Sequence, residues 1–553
     1  MNAFLNLKSS SCKDCYKCIR QCPVKSIDFL NDHAEIIADE CILCGRCYVV
    51  CPQAAKEISS EIPEVKRLIK SHKVFVSLAP SFVAYFKDIG IQAMRDAVKK
   101  LGFYDVIETA EGATAVKAEY ERILSEEKPD VLISSCCPSV NLLVQKHFPS
   151  LIKYLAPVKS PMTVHAQSIK KNHPDAKVVF VGPCIAKKEE ARSMNYVDAV
   201  LTFDELDLLL KENEIDIKDI KDTEKIGKSR SFPTTGGVIR SFNTMLDEYT
   251  YIALDGVINC LEALREIEKG NLNKCFVELS ACESSCIGGP VIAAKDIHPI
   301  AGFKAVKDFT GEADFDFTAE NISQSFIDHQ LSITYPTEAE IKKTLASFGK
   351  VRPENELNCG SCGYDTCRDH AVAIIKGKAD PNMCLHYLKE KAESFSSSII
   401  NYSPNAVIVL NDDYRISLIN GVALKILGND SPKEVLGNHI SRYMDPTPFI
   451  NAKFVGSGAF TRKKLLRRYD RYVDQTVLYN KEYQTLICNM RDITEEELVR
   501  QRKESITKQT YEIADKVVEK QMRIVQDIAS LLGETAAETK IALFNLKESI
   551  SDD

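Results

Sequence analysis

The sequence contains no tryptophan, no long apolar run and no large excess of either charge. Its 71 Lys and Arg residues against 78 Asp and Glu leave a formal charge of −7 over 553 residues, which argues against a strongly basic nucleic-acid binder. No stretch approaches the roughly 18 uncharged apolar residues of a membrane-spanning helix. The first residues, 1–11, lack the apolar core of a secretory signal, so we expect a cytoplasmic protein.

Cysteine, by contrast, is abundant and unevenly distributed. Of the 20 cysteines, eight lie in the first 51 residues and four lie between residues 359 and 384. Disulfides are rare in the cytoplasm, so this abundance predicts bound metal. At a prior of about 100–200 residues per domain, the chain should hold roughly three to five domains.

Two cysteine runs near the N-terminus share the spacing CxxCxxCxxxCP. This is the spacing of bacterial two-cluster ferredoxins, in which the fourth cysteine of each run holds the other [4Fe-4S] cluster. Zinc is the alternative, because four-cysteine zinc sites also use CxxC pairs. The predicted role is electron transfer. The predicted ligands are Cys12, Cys15, Cys18 and Cys51 for cluster one, and Cys41, Cys44, Cys47 and Cys22 for cluster two.

A third cysteine set has the spacing CxxCx4Cx16C and resembles the small [4Fe-4S] domain of corrinoid iron–sulfur proteins. Its predicted ligands, those of cluster three, are Cys359, Cys362, Cys367 and Cys384. A helix is expected from Thr366 to Lys376, ended by Gly377. Zinc is again the alternative. This set follows the middle of the chain, which is not where a simple series of electron donors would need it. One interpretation is that it carries electrons or a redox signal toward the C-terminal part.

The middle of the chain alternates apolar strands with helices. Strands are predicted at 74–80, 131–135 and 176–181, and helices at 113–124 and 139–147. This alternation predicts an α/β domain with a largely parallel sheet. Ligands bind such sheets at the carboxyl ends of the strands. Because Cys136, Cys137 and Cys184 each follow a predicted strand, their placement favours a site over packing thiols.

Four segments of this domain resemble motifs of the [FeFe]-hydrogenase active-site domain. They are Ser134-Ser135-Cys136-Cys137-Pro138, Gly182-Pro183-Cys184 through Glu190, Thr235-Gly236-Gly237-Val238, and Glu278 through Gly289 with Cys282 and Cys286. They resemble TSCCP, MPCxxKxxE, a glycine-rich element and ExxxCxxxCxxGG, in the family's order and spacing. Pro290 stands where the last glycine of the fourth motif would be. The resemblance covers roughly residues 70–305, after the ferredoxin module that the family commonly carries.

The resemblance implies an H-cluster, a [4Fe-4S] cubane joined through one thiolate to a diiron unit with CO and CN ligands. Cys137, Cys184, Cys282 and Cys286 would hold the cubane, and Cys286 would be the bridge. Lys187 would donate to a cyanide, as a cation donating to an anion. The residues implied to line the diiron cavity are Ala79, Pro80, Ser81, Ser160 and Pro161.

Cys136 would be the acid and base beside the diiron unit. A free thiol has a pKa near 8.5, and a local field that lowers this pKa would allow proton exchange near neutral pH. The alternative is that Cys136 is only a small buried residue beside a ligand.

Several family residues are replaced here. Methionines that contact the diiron unit in hydrogen-producing members correspond to Gly182 and Ser280, and the tryptophan after TSCCP corresponds to Val140. The proton relay of two glutamates and a serine corresponds to residues that carry no proton, Gly112, Ala115 and Ala156. Turnover is therefore expected to be slow. Nearby acids that offer another route are Glu111, Glu119 and Glu278.

The C-terminal part resembles a PAS domain followed by a helix. Strands are expected at 406–410, 414–419 and 484–490, with a helix at 420–427, and the exit Arg491-Asp492-Ile493-Thr494 is the most specific feature. His439 is interpreted as a surface residue rather than a haem ligand. The residues Ala514, Val517, Gln521, Ile524, Ile528 and Leu531 follow a heptad spacing, which favours a dimer stalk over packing on the PAS domain. Gly533 is expected to break this helix, and a capping box at 535–538 to begin another.

The predicted fold class is therefore multidomain α+β and α/β. The predicted domains are a two-[4Fe-4S] ferredoxin fold at 1–62, an [FeFe]-hydrogenase α/β domain at 70–345, a small [4Fe-4S] domain at 350–390, a PAS fold at 395–493 and a coiled-coil helix at 494–550. The predicted cofactors are an H-cluster and three further [4Fe-4S] clusters. No kinase or phosphatase motif is found, so an output enzyme would be another polypeptide.

Three functions are weighed. The first is a sensory [FeFe]-hydrogenase that interconverts H2 with protons and electrons and signals through the PAS domain. The second is a ferredoxin-linked hydrogenase whose PAS domain only dimerises. The third is an iron–sulfur scaffold without a diiron unit. The expected partners are H2 and protons, a ferredoxin or other redox partner, a second copy of the chain and a signalling output protein, with no nucleic acid and no membrane.

Overall fold

The computed structural model describes residues 4–29, 33–217, 226–295, 297–329, 331, 335–456 and 460–550. The chain divides into two compact units, Met1–Leu388 and Lys389–Asp553. They are called unit 1 and unit 2 and are described separately. The finer division into five domains stays a prediction.

The N-terminal part of unit 1 consists of short strand pairs and two short helices. The elements are β1 (Leu5–Leu7), α1 (Lys17–Gln21), β2 (Ile27–Asp28), β3 (Glu35–Ile36), α2 (Arg46–Val49) and β4 (Lys56–Ile58), with β1 antiparallel to β4 and β2 antiparallel to β3. Each helix begins inside a cysteine run, after a residue with left-handed backbone, Tyr16 for α1 and Gly45 for α2. These turns place Cys18 and Cys47 in the first turn of their helices.

Two parallel sheets follow. Their strands are β5 (Val74–Leu78), β6 (Asp105–Glu108), β7 (Val131–Ile133), β8 (Lys177–Gly182), β9 (Ala199–Thr202), β10 (Thr250–Asp255) and β11 (Cys275–Ser280). The strand orders are β6-β5-β8-β9 and β10-β11-β7, and every pair is parallel. The predicted α/β domain is thus confirmed, but the expected single sheet is two sheets, because β7 pairs with the distant strand β11.

Helices cover both sheets and complete unit 1. They are α3 (Ile62–Ser71), α4 (Phe82–Tyr85), α5 (Ile91–Lys100), α6 (Thr109–Arg122), α7 (Pro138–His147), α8 (Pro161–Asn172), α9 (Ala186–Met194), α10 (Phe203–Glu212), α11 (Gly237–Ser241), α12 (Val257–Glu268), α13 (Pro290–Ala293), α14 (Pro299–Phe309), α15 (Glu338–Ser347) and α16 (Cys367–Ile375). The predicted helix at 366–376 is confirmed, with Thr366 capping its N-terminus and Gly377 following in left-handed conformation.

The buried core holds the strands whose carboxyl ends form the edge at which the site is expected. All five residues of β5 are buried because helices cover both faces of that sheet, as parallel strands require. Strands β7, β8 and β11 end at Ile133, Gly182 and Ser280. The predicted site cysteines follow within a few residues of each end.

Helix α17 (Leu385–Tyr402) spans the boundary between the units, and unit 2 continues with an antiparallel sheet. Its elements are β12 (Ala406–Leu410), β13 (Ile416–Ile419), α18 (Gly421–Ile426), α19 (Pro432–Val435), α20 (Thr447–Val455), β14 (Phe460–Leu466), β15 (Arg471–Asn480) and β16 (Thr485–Asp492). The strand order is β13-β12-β16-β15-β14. Three strands were predicted; β14 and β15 were not, because the charged run 461–471 hides their alternation.

Unit 2 ends in one helix, α21 (Thr494–Ile550). The predicted break at Gly533 is wrong. A glycine inside a helix costs only about 1 kcal/mol relative to alanine, and strong helix formers surround it. The predicted capping hydroxyl of Thr535 instead donates to the Leu531 carbonyl at 2.6 Å, one turn earlier.

Candidate active site

The four cysteines predicted to hold the H-cluster cubane converge in unit 1. Cys137 caps the N-terminus of α7, Cys184 follows β8, and Cys282 and Cys286 follow β11. Burial raises the pKa of Cys282, and Cys184, Cys137 and Cys286 raise it further. Burial likewise raises the pKa of Cys184 to about 11. Thiols this close and this buried ionise readily only when a cation binds them, which is the setting of a metal–thiolate site.

A cavity of about 110 Å³ adjoins this quartet. The residues that line it and were predicted to do so are Ala79, Pro80, Ser81 and Pro161, together with Cys136, Cys137, Cys184, Cys286 and Lys187. Ser160 is not among the lining residues; its hydroxyl instead accepts a hydrogen bond from Lys187 Nζ at 2.9 Å. Among the described residues, the buried hydroxyl of Ser81 has no hydrogen-bond partner.

The cavity fits a small group with polar ligands. An unpaired buried hydroxyl costs about 1–3 kcal/mol, and a bound acceptor relieves that cost. The walls are otherwise mostly apolar, with Phe180, Met162 and Phe232 among them. The residues present therefore fit the predicted diiron unit: Cys286 would tether it, Ser81 and Lys187 would donate to it, and Cys136 would lie beside it.

Lys187 is held in place by buried partners. Its ammonium pairs with Glu190 at 2.6 Å and lies 3.5 Å from the carbonyl oxygen of Cys136. Burial alone would lower the pKa of Lys187, but the Glu190 carboxylate outweighs it and the pKa is raised. The side chain therefore stays a cation in the cavity wall at neutral pH, as a hydrogen-bond donor to a cyanide ligand would need to be.

Cys136 belongs to a hydrogen-bond network that centres on Tyr120. The Tyr120 hydroxyl lies 3.2 Å from Cys136 Sγ and 3.1 Å from Ser135 Oγ, and it accepts the Ser135 N–H at 2.9 Å. Ser135 Oγ donates its own proton to the Val158 carbonyl at 2.7 Å. Tyr120 can therefore accept from the thiol or donate to the thiolate. Sequence reasoning missed Tyr120, because it resembles any apolar residue on the inner face of α6.

The sequence reasoning allowed for a local field that lowers the pKa of Cys136, but the protein surroundings raise it instead. Burial raises that pKa to about 12, although the hydrogen bond from Tyr120 and the charge of Lys187 oppose the rise. The protein alone thus keeps Cys136 as a neutral thiol that can donate a hydrogen bond into the cavity.

The positions of the family's usual proton relay are apolar and closed. A Cβ at Gly112 would lie 2.4 Å from the carbonyl oxygen of Pro161, because α6 and α8 meet there. Ala115 and Ala156 are buried in an apolar cluster. A side chain larger than that of glycine does not fit at position 112 unless a helix moves. The relay of two glutamates and a serine therefore has no counterpart at these three positions.

Of the three acids offered as another route, Glu278 alone lines the cavity among the described residues. It is only 4% exposed, accepts the Ile239 N–H at 3.1 Å, and lies near enough to Cys136 to raise the pKa of that thiol. Burial raises the pKa of Glu278 to about 7. Burial and the neighbouring Glu108 also raise the pKa of Glu111 to about 7, but Glu111 lies 4.0 Å from His165, outside the cavity lining. Glu119 pairs with Arg122.

The residues that stand in place of the family's methionines and tryptophan have well-defined surroundings. A Cβ at Gly182 would lie 2.7 Å from the ring of Phe180, which itself lines the cavity. Ser280 accepts a hydrogen bond from Ser285 at 2.9 Å, and Val140 is fully buried. Phe180 and Ser285 are cavity residues that the sequence did not reveal, because they lie outside the motifs' fixed positions.

The ferredoxin cysteines form two groups. Cys22 contributes, after burial, to the raised pKa of Cys41, Cys44 and Cys47, so Cys22 lies with the other run, as predicted for cluster two. Cys12 and Cys15 do the same for Cys18. Cys51 Sγ accepts the Ala55 N–H at 3.3 Å, and its assignment to cluster one stays a prediction. Cys44 is also near enough to Cys282 to raise the pKa of that thiol, so cluster two adjoins the cysteine quartet.

The cysteines of cluster three lie against the ferredoxin part. Cys359 and Cys384 contribute, after burial, to the raised pKa of Cys362. Cys362 packs in the same apolar cluster as Cys22, Cys41 and Cys47. The remaining thiols, Cys260, Cys275 and Cys488, are buried. Cys260 lies near enough to Cys137 that, after burial, Cys137 raises the pKa of Cys260 further. In unit 2, His439 bonds to the hydroxyl of the nearby Ser441 at 2.7 Å.

Comparison with known proteins agrees with this site. Residues 72–290 match the family described as iron only hydrogenase large subunit, C-terminal domain. Residues 4–66 match a 4Fe-4S dicluster domain, and residues 355–386 match a putative Fe-S cluster family. The chain therefore contains a hydrogenase-like segment together with two segments similar to iron–sulfur domains. Among the described residues, no helix has the length and apolarity to span a membrane.

Two curated relatives illustrate the range of similar proteins. Iron hydrogenase 1 of Clostridium pasteurianum is 25% identical over 381 residues, 54% of this chain and 66% of that protein. The nuclear prelamin A recognition factor of Xenopus laevis is 22% identical over 339 residues, 46% of this chain and 74% of that protein. The chain spans between 42% and 66% of the length of three hydrogenases among its relatives. A solved apo variant of the [FeFe]-hydrogenase HydA1 of Chlamydomonas reinhardtii aligns with 17% identity and a TM-score of 0.38, over 49% of this chain and all of that one.

Proposed function

We propose that this protein is a sensory [FeFe]-hydrogenase of low turnover that splits or forms H2 at an H-cluster in unit 1. The observation that carries the proposal is the cavity beside the cysteine quartet. A plain cubane needs four thiolates and nothing more. Here Cys136, Lys187 and the unpaired Ser81 surround a space that a plain cubane does not use.

When bound, the diiron unit would supply heterolytic cleavage of H2 into a proton and a hydride, which amounts overall to two protons and two electrons. The chain's own residues manage the proton. In H2 oxidation the Cys136 thiol would pass its proton onward to Glu278 and take up the new proton at Sγ. The Tyr120 hydroxyl would donate to the sulfur while it is a thiolate and accept from it once it is a thiol again. Lys187 and Ser81 hold the cofactor as donors, and the apolar walls exclude water.

Glu278 is the next proton acceptor in this proposal. It lines the cavity with Cys136, and its carboxylate accepts the Ile239 N–H in the short helix α11. Burial raises the pKa of Glu278 to about 7, which matches a group that exchanges protons at neutral pH. The closed relay at Gly112, Ala115 and Ala156 leaves this side of the cavity as the proton exit.

The sensory part of the proposal rests on unit 2. Its five-stranded antiparallel sheet has the last strand, β16, at the centre beside the first strand, β12, and β16 leads into a long helix; this arrangement supports the PAS resemblance. The apolar heptad residues of α21, including Ile524 and Ile528, are exposed in the single chain. They support a parallel dimer with a second copy. A redox signal from the clusters would reach a separate output protein through this helix.

Infrared spectroscopy of anaerobically matured protein tests the site. CO and CN stretching bands are the expected result. A fully iron-loaded chain without these bands would overturn the proposal in favour of an iron–sulfur scaffold.

A deletion separates sensing from plain hydrogen metabolism. If unit 2 senses, a chain lacking residues 390–553 keeps its hydrogenase activity and loses the transcriptional response to hydrogen. If that response survives the deletion, the PAS-like segment and helix only dimerise, and the protein is an ordinary ferredoxin-linked hydrogenase.

A further inference from the structure

Cluster three was expected to lie beyond the hydrogenase-like domain, on the way to the C-terminal part. Within unit 1 the chain instead returns, so that residues 359–384 pack on the ferredoxin part. The two segments share one apolar cluster, in which Ile19 and Cys22 meet Cys362, Tyr364 and Met383. We call the contact between residues 4–58 and residues 359–384 the seam.

Hydrogen bonds fix the register of the seam. Arg20 donates to the carbonyls of Ser361 and of Cys15 at 3.0 and 3.1 Å, and thus joins the cluster three loop to the cluster one loop. Lys25 donates to the Gly363 carbonyl at 2.9 Å. The Phe29 N–H donates to the Lys378 carbonyl at 2.9 Å. Bonds to main-chain carbonyls more than 330 positions away define one relative placement of the two segments.

The seam is also tight. Gly363 has a φ of +98°, and a Cβ there would lie 2.9 Å from Ile19 Cγ2, so only glycine allows this approach. The ring of Tyr364 is buried between the two segments, close enough to the thiols of Cys362 and Cys22 that both act on it electrostatically. Cys22 is a predicted ligand of cluster two. Cys15 and Cys359 line one cavity at the seam's edge.

The geometry points to direct electron exchange between cluster two and cluster three across Tyr364. This inference rests on the proposed function only in requiring the iron–sulfur clusters, not the diiron unit. In the step, one electron leaves reduced cluster three and enters oxidised cluster two. The charge of the first core rises by one and that of the second falls by one, while no bond forms and no proton moves.

A charge pair at the seam provides the test. Lys378 Nζ pairs with Glu40 Oε2 at 2.5 Å, both side chains about one-fifth exposed, and Asp28 lies nearby on the same side. Lys378→Glu places three carboxylates together and opens the seam without touching a cysteine. The double variant Glu40→Lys/Lys378→Glu restores the pair with its charges exchanged, and therefore separates loss of the seam from loss of folding.

The experiment uses the full chain, loaded with iron and sulfide under anaerobic conditions and never given a diiron unit, then fully reduced with a europium(II) chelate. Electron paramagnetic resonance of the wild type should give a spectrum broadened by spin–spin interaction that involves cluster three, with fast relaxation. Lys378→Glu should lose that interaction at unchanged iron content, and the double variant should regain it.

A wild-type spectrum equal to the sum of isolated clusters overturns the inference. So does an unchanged interaction in Lys378→Glu when hydrogen exchange shows that the Phe29 amide has lost its protection. Because no diiron unit is present, neither outcome depends on the infrared test, and absence of CO and CN bands leaves this inference standing.

Discussion

The cysteine quartet and cluster three each bring four thiols together, yet their surroundings differ. Around cluster three, apolar packing buries Cys362 and Cys384, while Cys359 stays exposed at the cavity on the seam's edge. Around the quartet, a cavity remains, with a fifth thiol, a paired ammonium and an unpaired hydroxyl in its wall. The ligands alone therefore do not distinguish an electron carrier from a catalytic centre; the neighbouring groups do.

The largest effect expected from this comparison comes from the fifth thiol. Cys136→Ala should lower hydrogen turnover about 100-fold or more, because it removes the acid and base nearest the diiron unit. CO and CN bands should persist, since Cys136 is not a predicted ligand. The measurement pairs H2 oxidation rates with infrared spectra. The matched control is Cys275→Ala, a buried thiol outside the site; equal losses in the two variants would refute the role of Cys136.

The next effect concerns Glu278. Glu278→Gln should slow turnover about tenfold to 100-fold, because the isosteric amide cannot relay a proton. Burial raises the pKa of Glu278 to about 7, so the carboxylate that accepts a proton forms as pH rises through 7. The H2 oxidation rate should rise over that range in the wild type and lose this rise in the variant.

Glu111→Gln is the control for that profile. Burial and Glu108 raise the pKa of Glu111 to about 7 as well, but Glu111 does not line the cavity. Its variant should keep the wild-type pH profile. A lost rise in Glu111→Gln with a normal one in Glu278→Gln would move the proton route to the His165 side.

A third test concerns unit 2 rather than the metal sites. The double variant Ile524→Asp/Ile528→Asp should convert a dimer into a monomer, because it places charges among the apolar heptad residues of α21. Analytical ultracentrifugation measures the mass, and iron content should not change. Arg523→Asp, next to these heptad residues on the same helix, is the control. A wild-type monomer would end the dimer proposal.

The smallest effect concerns Ser81. Before the diiron unit is inserted, Ser81→Ala should raise the free energy of unfolding by about 1 kcal/mol, because it removes a buried hydroxyl without a partner. After insertion it should shift the CO and CN bands and weaken retention of the unit. Thermal unfolding and infrared spectra measure the two effects. A variant that is destabilised before insertion, with unshifted bands after it, would show that Ser81 is only packing.

The sequence was most informative where spacing is local. The cysteine motifs, the capped helix after Thr366 and the strands before Cys136 and Cys184 follow from neighbours along the chain. Residues that meet only through the fold were not predictable: Tyr120 reaches Cys136 across 16 positions, and Phe180 fills the space beside Gly182. The seam was missed for the same reason, since its bonds join residues more than 330 positions apart. The break at Gly533 was wrong because a local preference was weaker than the helix around it.

Gly45 shows a further consequence of how the parts of unit 1 meet. It lies in the cluster two loop with a φ of +73°, and a Cβ there would lie 2.6 Å from Pro290, the residue that replaces the last glycine of the fourth hydrogenase motif. Arg46 beside it pairs with Glu283. The ferredoxin part is thus shaped to this particular hydrogenase-like domain. Anyone building chimaeras should treat the two as one cassette, because a transplanted ferredoxin with a larger residue at position 45 would not seat on this partner.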